Sequence, residues 1–356
     1  SITFARPSNT DGTDTIRPAT LRGQGPDQTL VLVNGARRHA SALVNTNGSV
    51  GRGSAAVDLN AIPSTAIDRI EVLRDGASAQ YGSDAIAGVV NLRLREASSG
   101  GGASVTYGGY VTGFKGFYGA DRDITDGATT TVSGWQGLSL GGDGFLTLSA
   151  EYRGREHTNR SDFDARAVIT PRRITSRFGD ADVEDVTFYA NTGKPLNETW
   201  TAYGWAGYQH RDASASATFR LPTDAAQNVP AIYPNGYLPL ITTDVEDVSA
   251  AVGVRGEIAG FKADVNLAYG KNDIDFGVQN TINPSYGAAS PTSFQAGGLN
   301  YDQLVLGADF SREVEIGLAG PLNVAFGLEA RRETFQINEG QPESYNTGPF
   351  TYPAGH

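Results

Sequence analysis

Three runs of this sequence alternate with a period of two over close to ten residues each, and they constrain the fold more than any other feature. Phe261, Ala263, Val265, Leu267 and Tyr269 interleave with Lys262, Asp264, Asn266, Ala268 and Gly270. Leu322, Val324, Phe326, Leu328 and Ala330 interleave with Asn323, Ala325, Gly327, Glu329 and Arg331, and Val248, Ala250, Val252, Val254, Gly256 and Ile258 mark the third run. Successive side chains of a strand point to opposite faces, so each run is a strand with one apolar face and one polar or small face. About ten residues is also what a tilted strand needs to cross a bilayer.

Stretches of this kind begin near residues 103, 129, 144, 183, 197, 246, 261, 301 and 321. Their connections alternate. Gly141–Asp143, Lys194–Leu196, Ala259–Gly260 and Ala319–Pro321 are hairpin-length, whereas 112–128, 154–182, 211–245 and 272–300 are long and rich in Pro, Asn, Tyr and Gly. A soluble sandwich has no reason to obey that rule, but an outer-membrane barrel has short turns on one side and long loops on the other. Nine strands cannot close an antiparallel barrel of even strand number, so further strands are expected beyond this chain. Residues 1–97 have a different texture: Thr29–Val33 is a β-branched run closed by Asn34-Gly35, and Asp68–Arg74 and Ala85–Leu94 are further strand candidates. Ala55–Ala66 reads as a short strand followed by a capped turn. A domain of that size preceding a barrel implies the plugged class of about 22 strands.

Composition removes other classes. The 356 residues include 45 Gly and no Cys, which excludes a disulfide framework, a thiolate metal site and a Cys nucleophile. The four His are scattered, so a His-rich metal cage is not expected, and a net charge of -11 argues against a nucleic-acid partner. No apolar run is long enough for a transmembrane helix, and no hydrolase elbow, phosphate loop or zinc motif occurs. Asn9–Asp14 and Asp121–Gly127 lack the full spacing of a calcium loop. Neither a cofactor nor an enzymatic activity is expected.

Five ordered blocks carry a family resemblance: Leu21-Arg-Gly23, Leu30–Gly35, Ile62–Arg74, Ala77–Gly82 and Ser83–Asn91. Together they resemble the plug domain of TonB-dependent outer-membrane receptors. Two blocks depart slightly from the family, with Leu73-Arg-Asp-Gly76 for Leu-Arg-Gly-Pro and Asn34-Gly35 for Asp-Gly. The resemblance implies a mainly β fold: an α/β plug over 1–97 with its beginning missing, inside a large antiparallel transmembrane β-barrel that starts at 98 and is incomplete. It implies residence in the Gram-negative outer membrane and active uptake of a scarce nutrient, energised through the partner TonB by a box absent from this chain. A ferric siderophore or other iron complex is favoured, with an oligosaccharide or a cobalamin-like ligand as alternatives. A signal-transducing receptor and a soluble β-rich glycan-binding or hydrolase domain are the competing readings.

By the same resemblance Arg22, Glu71 and Arg74 are expected to lock the plug to the barrel. The apical segments 6–14 and 37–52 are expected to face substrate, through Asn9, Asp11, Asp14, Arg38, His39, Asn45, Asn47 and Arg52. Tyr203, Trp205, Tyr208 and Tyr269 read as girdle or wall residues, and Arg312 interrupts an apolar face either at a bulge or where the strand has left the hydrocarbon.

Overall fold

The computed structural model describes residues 2–4, 12, 15–44, 51–74, 81, 83–317 and 320–350. Asn9, Asp11, Asp14, Asn45 and Asn47, and most of the Ala77–Gly82 block, lie outside the described residues.

The N-terminal unit begins with β1 (Ile2–Phe4), paired antiparallel with β2 (Ala19–Leu21). Four more strands, β3 (Thr29–Val33), β4 (Ala36–Arg37), β5 (Ile67–Leu73) and β6 (Gly88–Leu94), form a sheet of order β4-β3-β6-β5. β3 is parallel to β6 and buried at every position, which is why it reads as an unbroken apolar run. The Asn34-Gly35 pair takes φ of 51° and 91°, the two positive values of a type I′ hairpin turn joining β3 to β4. In place of the short strand expected within 55–66 there is one bridge, Val44 to Ala55, and a 3-10 turn, Leu59–Ala61, ahead of which Asp58 accepts from the Asn60 N–H; the following turn, Ser64–Ala66, has no side-chain cap. Six residues, 95–100, separate β6 from the next strand.

Nine strands follow: β7 (Gly101–Phe114), β8 (Arg122–Ser139), β9 (Phe145–Arg155), β10 (Asp182–Pro195), β11 (Thr201–Ser216), β12 (Leu240–Ile258), β13 (Phe261–Gln279), β14 (Ser293–Val314) and β15 (Leu322–Glu339). Among the described residues each pairs antiparallel with its sequence neighbours only, giving one nine-stranded sheet. No helix among the described residues is long and apolar enough to cross a membrane. The short connections lie at 140–144, 196–200 and 259–260, the second later than expected because Lys194 and Pro195 still belong to β10; of the Ala319–Pro321 turn, Ala319 lies outside the described residues. The long loops are shorter than expected, at 115–121, 156–181, 217–239 and 280–292, because the strands continue beyond the apolar band with polar outward residues such as Asp244, Asp273 and Asp275. Once lipid is left behind, alternation of hydrophobicity no longer marks a strand.

The outward face carries that band. From Phe261 to Tyr269 it runs about 27 Å along β13, or about 21 Å at a tilt near 40°, close to the height of a barrel's lipid-facing belt. Phe261, Phe310 and Phe326 bound it at the short-turn end, with ring centroids 5.2 to 5.6 Å apart, and Tyr152, Tyr208 and Tyr269 bound it near the loops. Arg312 stacks over Phe261 at 5.6 Å beside the Ala259–Gly260 turn, so its strand has already left the band. The β13–β14 register shift lies far away, at Phe276/Gly277. Trp205 faces inward, buried and stacked on Tyr189 at 6.3 Å, and Tyr203 donates inward to Asp264 at 2.6 Å. Val31, Val33, Val90 and Leu92 pack against Trp205, Ala251, Ala268 and Val305 in one cluster. The plug therefore completes its core with the barrel wall.

Candidate functional site

The inward faces of β10 to β13 carry a polar row where the sheet's register sets charged and amide side chains side by side. Asp185 lies opposite Arg211, Gln209 opposite Asp247, and Asp247 opposite Asn272. Two plug segments dock on this row.

The first is the residue pair after β4. Arg38 Nη2 donates to Asp247 Oδ1 at 2.5 Å, and His39 Nε2 lies 2.9 Å from Asp247 Oδ2. Asn272 Nδ2 donates to the same carboxylate at 3.0 Å while its Oδ1 accepts from the Ala42 N–H at 2.8 Å. Arg38 Nη1 is 2.6 Å from His39 Nδ1. Because a guanidinium can only donate, Nδ1 accepts and Nε2 carries the proton given to Asp247, so a neutral imidazole satisfies both contacts. Burial and the adjacent Arg38 push the His39 pKa below its ordinary value, in agreement with that tautomer, and the Asp247 carboxylate only partly opposes them. The close fit needs Gly270, where an added Cβ would fall 1.9 Å from His39 Nδ1.

The second segment is the Asp58 turn. Arg211 Nη1 donates to Asp58 Oδ2 at 2.6 Å and to the Thr15 carbonyl at 2.7 Å, and its Nε reaches Asp185 at 3.3 Å. Asp185 also accepts from Arg153 at 2.5 Å and from Gln209 at 2.7 Å. The Arg211 side chain is fully buried. Removing one partner of such a pair costs about 3–5 kcal/mol, since the other charge is left buried and alone. Two further ties are more exposed: Arg37 bridges Asp84 at 2.6 Å and Glu329 at 3.2 Å, and Asn34 Nδ2 donates to Asn191 Oδ1 at 3.0 Å.

This placement revises several sequence expectations. Arg38 and His39 are only 3% and 2% exposed and are turned onto the wall, not toward an open surface, because Asp247 and Asn272 offer them charge and hydrogen bonds. Arg52 is exposed in the turn after residue 50, apart from that pair. Glu71 is bound within the plug, accepting from Arg69 and Asn91 at 2.9 Å each, and Arg22 Nη1 donates to the Arg74 carbonyl at 3.1 Å. β5 is the sheet's edge strand and is solvent-exposed along most of its length, which turns Glu71 away from the described wall. The histidines that look scattered in sequence each find a carboxylate where described: His39 with Asp247, His157 with Asp182 at 3.0 Å, and His210 with Asp212 and Asp244. Asp58, Arg211, Asp247 and Asn272 escaped sequence reasoning because polar inward residues are ordinary in a wet lumen.

Toward the loop end, Leu43 and Ile16 pack with Val245, Ile274 and Phe276, so residues 15–16 and 42–44 lead toward the long loops. There Asp126 holds Arg160 through two bonds of 2.6 and 3.0 Å. Asp162 accepts the N–H groups of Tyr118, Ala120 and Phe163, which hold its carboxyl below the usual range against the effect of desolvation. Asp164 is lowered further, mainly by its bonds with Arg166. In the 217–239 loop Tyr233 stacks on Tyr237 at 4.4 Å, and burial pushes the Tyr237 phenol up to about 12. With Phe219 and Arg173 these rings line a cavity of about 440 Å³.

Residues 2–89 match the TonB-dependent receptor plug domain. The ferric enterobactin receptor PirA of Pseudomonas aeruginosa is 29% identical over 208 residues, covering 58% of this chain and 23% of PirA. The vitamin B12 transporter BtuB of Photobacterium profundum is 38% identical over 128 residues, covering 35% of this chain and 18% of BtuB. Among solved structures, the ferric enterobactin receptor PfeA of P. aeruginosa superposes with a TM-score of 0.63 at 17% identity, over 94% of this chain and 45% of PfeA. The siderophore receptor PirA of Acinetobacter baumannii gives 0.60 at 19% identity, over 94% of this chain and 44% of that one. The chain thus spans less than a quarter of the length of these curated relatives and under half of the solved ones. With residues 2–89 matching the plug-domain model and seated against nine antiparallel strands whose outward faces suit lipid, the chain resembles the TonB-dependent outer-membrane receptors in sequence and shares the fold of their solved structures.

Proposed function

We propose that the receptor imports a ferric siderophore, driven by force that TonB delivers from the periplasm, with 1–97 as the plug, 98–356 as barrel, and no chemical step in this chain. The carrying observation is the seat: ion pairs around Arg38–Asp247 and Arg211–Asp58 hold the plug tightly, yet each can be exchanged for water when the plug is pulled. An apolar seat would have no such exchange partner. Asn9, Asp11, Asp14, Asn45, Asn47 and Arg52 are the groups assigned to the ligand, since the described residues beside them lead toward the loops. Arg22, Glu71 and Arg74 are assigned a weaker hold, beside the buried pairs.

The plug is machinery shared by transporters of different cargo, so ligand identity rests on the longer match. That match covers 208 residues, more than the plug contains, and its partner is named for ferric enterobactin. A cobalamin-like ligand is the second reading, favoured by the 38% identity to a vitamin B12 transporter. The test is uptake of radiolabelled iron–siderophore and of cobalamin by cells making the full-length receptor, with and without TonB. TonB-dependent iron uptake that falls on Arg52→Ala supports the reading. Uptake of cobalamin alone transfers it to the second ligand, and accumulation of neither overturns transport.

A further inference from the structure

The charges of the Arg38–His39–Asp247 cluster balance only while His39 is neutral. One guanidinium and one carboxylate cancel, and the imidazole satisfies both, accepting from Arg38 through Nδ1 and donating to Asp247 through Nε2. A second ring proton would sit on Nδ1. There it would meet the Arg38 Nη1 hydrogens across an N–N distance of 2.6 Å, and it would leave a net positive charge among three side chains at most 4% exposed.

Among the described residues nothing nearby absorbs that charge. Asp58 and Asp185, the next carboxylates, are matched by Arg211 and Arg153. The cluster faces Tyr189 from β10, Gln209 from β11, and Asn272 with the Lys271 carbonyl from β13, none of which brings a negative charge. The Lys271 ammonium is paired with Asp273. Burial and Arg38 disfavour the proton on His39 and outweigh Asp247 and the Lys271 carbonyl, which favour it.

The cluster also has little room to rearrange in place. The ring lies so close to Gly270 that an added Cβ there would clash with it, and Arg38 Nε makes no hydrogen bond among the described residues, so the guanidinium has no second acceptor to turn to. A charged His39 is relieved only by leaving the wall for water. The release extends along the chain, because the Ala42 N–H is held by Asn272, whose amide is itself fixed by Asp247.

We propose that His39 is a proton-operated latch on the plug: neutral, it closes the 38–42 strap onto β12 and β13, and protonated, it frees that strap from the barrel wall. The open strap binds the additional proton, so closure is favoured at neutral pH and lost as pH falls. An acidic medium thereby lowers the work needed to displace the plug. The latch acts on the seat and not on the ligand, so it operates whichever cargo the receptor carries.

The test is hydrogen exchange of the full-length receptor in lipid nanodiscs at pH 7.5 and pH 5, corrected for the intrinsic pH dependence of exchange. Mass spectrometry of the 38–44 peptide reads the strap, and a β13 peptide serves as the barrel reference. Protection of the strap is expected to fall at least about threefold in acid while β13 holds. His39→Asn keeps a donor and an acceptor but takes no proton, and should abolish the fall. Arg38→Met leaves Asp247 as the one charge of the cluster, so His39 gains its proton to pair with it and the dependence reverses, with greater protection at pH 5. That reversal separates a titrating latch from a merely structural contact. Unchanged protection in the unmutated receptor overturns the proposal, as does a fall that persists in His39→Asn or that survives without reversal in Arg38→Met.

Discussion

The inward and outward faces of β10 to β13 share one backbone and one register, yet they are stabilised in opposite ways. Outward, Val252, Leu267 and Tyr269 have no specific partner and depend on area exposed to hydrocarbon. Inward, Arg211, Asp247 and Asn272 have named partners on the plug and depend on geometry. The lesson is that tolerance to change differs by face: an outward residue can be exchanged for any apolar one, while an inward residue answers to the atom opposite.

The largest effect that separates the faces is expected from Asp247→Ala, which strands Arg38 beside a neutral pocket. It should lower the stability of the plug seat by about 3–5 kcal/mol, read as protease sensitivity of the plug in the full-length receptor. Pairing it with Arg38→Met should recover most of the loss, and failure to recover would mean the ion pair is not what fixes the seat. On the outward face, Val265→Arg should cost about 2–4 kcal/mol near the bilayer middle, measured as reversible unfolding into detergent or urea. A plug-only defect from that change would contradict the assignment of faces. Gly270→Ala drives a methyl into His39 and should cost about 1–3 kcal/mol, seen as a weakened seat with the barrel intact.

A smaller effect follows from His39. Its folded pKa lies below its unfolded value near 6.5, so the unfolded state binds more protons, and this contribution is complete above that pH and is lost as pH falls below it. Plug protection measured at pH 7.5 and pH 5 should therefore decline on acidification, and His39→Asn should flatten the profile. The smallest change is expected from Glu71→Ala, about 0–1 kcal/mol, since its pair with Arg69 is exposed. A loss comparable with that of Asp247→Ala would restore Glu71 to the lock.

The two faces also differ in how they read in sequence. Lipid imposes a strict rule on every second residue, so Phe261–Tyr269 and Leu322–Ala330 announce themselves without any partner being known. Where β13 rises past the bilayer into Asp273 and Asp275 the rule lapses, and strand there reads in sequence like loop. The Asn34-Gly35 turn was legible because two positive φ angles admit few residue types. The seat was not: Asp247 and Arg38 are 209 residues apart in the chain and Arg211 and Asp58 are 153 apart. Only the folded register brings them together.

The short link between β6 and β7 has a mechanical meaning. β6 is an inner strand of the plug sheet, and residues 95–100 after it are already fixed to the wall, with the Ala97 N–H on Thr147 and Arg95 over Trp135 at 4.5 Å. Fully stretched, six residues reach about 20 Å, less than the height of the wall. The plug is a tethered body and not a free cork: however the rest of it is displaced, the end of β6 stays within about 20 Å of the start of β7.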